Sequence, residues 1–142
     1  MFGYLLDMLN NMLFVNKKFY YLSLIKEKDD ISIHGLWPQY DEKTYPQFCK
    51  KVNFSIEKLS PIINDLNTHW YSKDGETKNK NFWKHEYDKH GSCMFQEMTE
   101  LEYFEKTLEL FFKAKKEKLI DKYISKDTSK ILIPVNLDFT FN

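Results

Sequence analysis

The sequence predicts an α+β fold, a central antiparallel sheet with helices packed against it, on three observations. Two short runs rich in aromatic and β-branched residues, "FYYLSLI" (19–25) and "ISIH" (31–34), flank the charged turn "KEKDD". A third run, "KILIPVNLDFTF" (130–141), closes the chain. The helical patterns lie together between these runs, and strands and helices that segregate instead of alternating define the α+β class. At 142 residues the chain is sized for a single domain spanning 1–142.

Each element has a local reason. The opening stretch "MFGYLLDMLNNMLFV" is apolar but broken by Asp7, Asn10 and Asn11. It makes a poor signal peptide and is too short to span a membrane. It reads as a short amphipathic helix or as an N-terminus missing its leader, and residues 1–18 are set apart as a candidate extension. In "ISIH" the alternation puts Ile31 and Ile33 on one face and Ser32 with His34 on the other, so His34 is expected to end its strand. "GLWPQYDEKTYPQFC" (35–49) carries two prolines and a glycine and reads as an ordered loop. Residues 55 to about 70 read as helical, with Ser55 as N-cap and Pro61 dividing the stretch. "YSKDGETKNKN" (71–81) reads as a polar loop. A short helix is expected from Phe82 to His90, stopped by Gly91 in the left-handed conformation. Thr99 and Glu102 form a capping-box pattern, followed by Leu101, Phe104, Leu108, Phe111 and Phe112 at helical spacing, which marks core scaffold. The last run reads as one or two strands around Pro134.

Composition narrows function only a little. Twenty-one basic residues balance 21 acidic ones, so no global field draws in a phosphate backbone, and nucleic-acid contact must come from a local cluster. The aromatic share of 17% is high, and aromatics mean core more often than a base-stacking surface. Two cysteines allow at most one disulfide.

The densest chemistry lies in "FWKHEYDKHGSC" (82–93). On a helix His85, Glu86, Lys89 and His90 share an arc of about 140°, with Trp83 and Tyr87 towards the other side. A zinc site of the H-E-x-x-H kind needs its histidines four apart, whereas His85 and His90 are five apart, with a lysine between them. An ordinary mixed-charge helix face accounts for any one of these residues. It does not explain why His34, His85 and His90, three of the four histidines, fall in two such stretches. Two imidazoles, a carboxylate and an ammonium suit phosphodiester cleavage by an internal hydroxyl, which needs a base, an acid and cations around the phosphate. RNA carries that hydroxyl and DNA does not.

"ISIHGLWPQY" and "FWKHEYDKHGSC" resemble, in order and nearly residue for residue, the two active-site segments of the ribonuclease T2 family. "YPQFC" and Trp70 are also similar to it, so the resemblance runs from about residue 31 to 112. It implies a T2-type fold trimmed at the ends and a metal-independent endoribonuclease acting on single-stranded RNA through a 2',3'-cyclic phosphate, with no cofactor. His34 would be the general acid and His90 the base, while Glu86, Lys89 and His85 hold the phosphate. Trp37, Gln39 and Tyr45 would receive the base. Cys49 and Cys93 match half-cystines that pair in the family, a link worth roughly 3 to 4 kcal/mol by loop entropy. The resemblance also implies a monomer without metal or membrane partner, in a secreted or endomembrane location. Tyr87 and Ser92 replace a tryptophan and a threonine, and Gln39 stands where many members carry an acid. The family's Trp-Pro-Cys loop, later cysteines and several C-terminal strands have no counterpart. A catalytically silent RNA-binding or signalling relative is the alternative outcome. His69 matches no motif position and reads as a surface or boundary residue.

Overall fold

A computed structural model describes residues 17–125 and 129–142; the expected N-terminal helix and most of the 1–18 extension lie outside the described residues. Strands β1 (Phe19–Glu27), β2 (Asp30–Gln39) and β3 (Lys130–Val135) form an antiparallel sheet in the order β2-β1-β3. Helices α1 (Ile63–His69), α2 (Asn79–Lys89), α3 (Glu100–Lys116) and α4 (Leu119–Tyr123) follow between β2 and β3. The α+β class is as the sequence predicts.

One face of the sheet builds the core in three cross-strand rows. Leu36, Leu22 and Ile133 form one, Ile33, Leu24 and Ile131 the next, and Pro38, Tyr20 and Val135 the third. All nine are buried, because directly opposed residues share a face and this face meets α3. Ile33 and Leu36 are three residues apart, which in a regular strand puts them on opposite faces. They share a face because Ser23 pairs with Gly35 while Leu24 pairs with Ile33, leaving His34 as the extra residue of a β-bulge.

The structure thus corrects the strand end expected at His34 and the loop expected from Gly35: β2 runs on to Gln39. Pro38 is tolerated because β2 is an edge strand, where a missing N–H costs no ladder bond. The outward carbonyls of this edge are satisfied by side chains. Trp70 Nε1 donates to the His34 carbonyl at 3.0 Å and Tyr103 Oη to that of Leu36 at 2.9 Å. Trp83 Nε1 in turn donates to the Trp70 carbonyl at 2.6 Å, so aromatic donors link α2 to the bulge.

Residues 55–70 are a 3-10 turn (Ile56–Ile62, containing Pro61) running into α1, and Ser55 makes no side-chain cap. Its hydroxyl donates to Glu57, and its N–H to Glu100. The polar loop expected over 71–81 is shorter, since a 3-10 turn begins at Glu76 and α2 at Asn79. Asn79 is the reason: its buried amide accepts from Ser72 N–H and donates to Asn67. Gly91 is not left-handed but enters another 3-10 turn (Gly91–Cys93). Its glycine is required by closeness, because a Cβ there would press on the rings of Tyr87 and Tyr103.

The capping box at Thr99 and Glu102 is formed. Phe104, Leu108 and Phe111 of α3 are buried as expected, joined by Tyr103, Thr107, Leu110 and Ala114, while Leu101 is half-buried. Phe112 instead faces outward, edge-on to the half-buried His69 at 4.9 Å. The C-terminal run is one strand, with a single bridge from Val135 to Phe141 beyond it.

Candidate active site

The bulge delivers His34 to the side chains of α2. Its Nε2 lies 3.8 Å from Glu86 Oε1, and its ring meets Trp37 edge-on at 4.9 Å and Phe82 at 5.8 Å. Trp37 Nε1 donates to the same Glu86 oxygen at 3.0 Å. The indole of Trp37 also stacks on His90, with centroids 5.0 Å apart and planes 24° from parallel. One indole therefore touches both imidazoles and the carboxylate. Gly35 makes this possible, for a Cβ at that position would collide with the Glu86 carboxylate and the Trp37 indole nitrogen.

The expected arc of α2 divides by depth. Glu86 and His90 are 2% and 4% exposed, Lys89 is half-buried, and His85 is exposed near Phe48. His90 Nδ1 has no hydrogen-bond partner among the described residues. Tyr45 is exposed, with its ring 6.2 Å from that of His90 and 5.9 Å from Lys89 Nζ. Gln39 stands apart from this group, buried, with its amide donating to the Asp41 carbonyl. Cys49 and Cys93 form a disulfide that ties the loop after β2 to the turn after α2. Phe48 N–H donates to the Lys89 carbonyl and Cys49 N–H to Ser92 Oγ on either side of that link. Trp70, Phe82 and Tyr103 complete the support. Tyr103 carried no signal in the sequence beyond its place on a core helix.

Burial sets the charge state. It pushes His34 down to about 4, helped by the charges of Lys130, His85, Lys89 and Lys73. It pushes His90 down to about 3, helped by Lys89, His34 and His85. Burial also pushes Glu86 up to about 7, against the opposing pull of the Trp37 hydrogen bond and Lys89. The motif suggests that Glu86 raises its neighbouring histidines and Lys89 lowers them. Only the lysine acts in that way, because a carboxyl that burial keeps protonated offers the rings no negative charge. Among the described residues no three His, Cys, Asp or Glu groups converge to hold a metal ion, and no helix is long and apolar enough to cross a membrane.

The Glu86 shift has a measurable consequence. A folded pKa raised above its unfolded value costs stability as pH climbs through the window from 4.5 to about 7, where the buried carboxyl must ionise. Glu86→Gln removes that cost. Chemical denaturation should find the variant up to about 3 kcal/mol more stable than the parent at pH 8 and indistinguishable from it below pH 4.

A bulged edge strand carrying one histidine is thus set against a helix carrying a glutamate, a lysine and a second histidine on an α+β scaffold. A profile of the Ribonuclease T2 family matches residues 14–131, and the chain belongs to that family. Ribonuclease DdI of Dictyostelium discoideum is 40% identical over 68 residues, which cover 48% of this chain and 30% of that protein. Ribonuclease 3 of Arabidopsis thaliana is 38% identical over 95 residues, covering 63% and 41%. The Extracellular ribonuclease LE of Solanum lycopersicum is 35% identical over 92 residues, covering 60% and 38%. The chain thus spans less than half the length of these relatives. Among solved structures, human RNase T2 superposes with a TM-score of 0.68 at 20% identity, covering 88% of this chain and 89% of that one. RNase NT in complex with 5'-AMP gives 0.67 at 21% identity, covering 88% of each. These likenesses show the fold.

Proposed function

We propose that the protein is a metal-independent endoribonuclease acting on single-stranded RNA. His90 takes the proton of a 2'-hydroxyl, the freed oxygen attacks the adjacent phosphorus, and His34 protonates the departing 5'-oxygen. The O2'–P bond forms as the P–O5' bond breaks, leaving a 2',3'-cyclic phosphate. His85 and Lys89 hold the incoming phosphate at the mouth of the site. Glu86, kept protonated by burial, donates a hydrogen bond to a phosphate oxygen as charge gathers there. Trp37 fixes the gap between the two imidazoles, and with Tyr45 it borders the base. Gln39 shapes the adjoining loop through Asp41. The observation that carries this reading is one indole in contact with two imidazoles while hydrogen-bonded to the carboxyl.

The same proposal has the protein acting as a monomer without cofactor, in a secreted or endomembrane compartment. The disulfide supports that location, since such links persist where thiols are not kept reduced.

The test is incubation with a single-stranded RNA, its 2'-deoxy counterpart, and the RNA with EDTA. Cleavage of both RNA samples to cyclic-phosphate ends, with the deoxy strand intact, is expected. Loss of cleavage with EDTA would point to a metal hydrolase, and RNA binding without cleavage at any pH to a silent relative.

The pH dependence follows from the two rings. Turnover needs His34 protonated, a condition lost as pH rises through about 4, and His90 neutral, lost as pH falls through about 3. The kcat/KM profile measured from pH 3 to 8 should therefore peak in acid and fall on its alkaline limb, by about tenfold per unit at its steepest. A maximum at pH 7.5 would remove His34 as the acid.

A further inference from the structure

A cavity of about 700 Å³ lies beyond the groups described so far. Phe19, Tyr21 and Pro134 form its apolar side, and Asp41, Glu42 and Lys43 part of its polar side. The volume suits a small organic ligand, and an apolar floor with a few polar groups is the usual build of such a site. Register connects it to the active site. Tyr21 lies directly opposite Trp37 on β2 and Pro134 on β3, so the three share a face of the sheet. The cavity floor therefore begins about 5 Å, one strand spacing, beyond the tryptophan that contacts both imidazoles. Its loop, residues 41–44, also leads directly into Tyr45, the ring beside His90.

The cavity combines aromatic rings with a polar side of mixed charge, Asp41 and Glu42 beside Lys17 and Lys43, the chemistry of a base pocket. Asp41 Oδ1 accepts from the N–H groups of Lys43 and Thr44, which pins the loop. Burial pushes the Tyr21 hydroxyl above its ordinary pKa, and the charges of Glu42 and Asp41 add to the shift. The carboxylates accept hydrogen bonds from a base edge rich in N–H donors, and Lys17 and Lys43 balance their charge. Guanine offers two adjacent donors on its Watson–Crick edge, whereas uracil offers one. Aromatic rings beneath supply stacking.

We propose that this cavity is a subsite for the nucleobase one position to the 5' side of the cleaved nucleotide, with a preference for guanine. The inference rests on the ribonuclease reading above, in which His90 serves the nucleotide that bears the attacking hydroxyl, because the 41–44 loop of the cavity continues into Tyr45, whose ring lies 6.2 Å from that of His90.

Affinities of all-2'-deoxy oligonucleotides, measured by calorimetry, test the subsite without requiring cleavage. Extending a dinucleotide by a 5' guanine should tighten Kd by about tenfold, and a 5' uracil should do so by less. Tyr21→Leu, which keeps apolar volume but removes the ring, and Glu42→Gln, at an exposed position, should each remove most of the guanine gain while leaving dinucleotide affinity unchanged. Tyr21→Phe should retain the stacking part. The matching ribo-oligonucleotides should show the same ratios in kcat/KM. No gain from extension, or a gain that survives both Tyr21→Leu and Glu42→Gln, overturns the subsite. Should Tyr21→Leu fail to fold, Glu42→Gln decides alone. Cleavage with no extension gain sinks only the subsite, and an extension gain with no cleavage of any RNA sinks only the ribonuclease reading.

Discussion

Replacing His90 with phenylalanine is expected to reduce kcat by roughly 10²–10⁴-fold while leaving the fold intact or more stable. The prediction rests on what surrounds the ring. His90 is 4% exposed, lies against Trp37, and leaves Nδ1 without a partner among the described residues. A benzyl ring fills nearly the same space and stacks on the same indole, but it buries no unsatisfied nitrogen. The pH dependence adds a second signature. A histidine whose folded pKa of about 3 lies below the unfolded 6.5 contributes stability above that window and loses it as pH falls from 6.5 towards 3. The phenylalanine variant lacks this term, so its melting temperature should gain on the parent as the buffer is acidified. His34→Phe should lose turnover to a similar degree. Near-normal rates in His90→Phe would mean that another group takes the proton.

Removing the disulfide with Cys49→Ala and Cys93→Ala together should lower stability by roughly 3 to 4 kcal/mol, since the link closes a loop of 44 residues in sequence separation. Urea denaturation of the double variant and of the reduced parent should give the same midpoint. Activity should fall as well, mostly through KM. The link anchors the segment that carries Tyr45 and Phe48, and the hydrogen bonds from Phe48 to Lys89 and from Cys49 to Ser92 join segments distant in sequence and can be exchanged for water by the freed loop. A loss under about 1 kcal/mol would mean that the unfolded chain is already constrained there.

The parts of this architecture that were legible in the sequence are those governed by local rules. The capping box at Thr99 and the apolar spacing after it specify α3 without reference to the rest of the chain, and the charged turn after "FYYLSLI" specifies a hairpin. The parts that were not legible depend on neighbours distant in sequence. Gly35 and Pro38 read as loop residues because nothing local reveals that β2 is an edge strand, or that Glu86 occupies the space a side chain at 35 would need. Gly91 reads as a left-handed stop for the same reason, since the rings that demand a glycine belong to Tyr87 and, twelve residues on, Tyr103. His85, Glu86, Lys89 and His90 were visible as one cluster through helical geometry. Their sorting into two deep and two outer groups depends on Trp37, which arrives from a different strand.

The unpaired residue at position 34 has a structural corollary. From Gly35 to Pro38 each residue of β2 stands in a register row three strands wide, and exchanging it disturbs that row. Position 34 is counted in no row, so its side chain has no register partner on β1 and is held by Trp37 and Phe82 instead. Deleting it, by contrast, would close the bulge and set Ile33 and Leu36 two residues apart, so the apolar rows would survive while the histidine was lost.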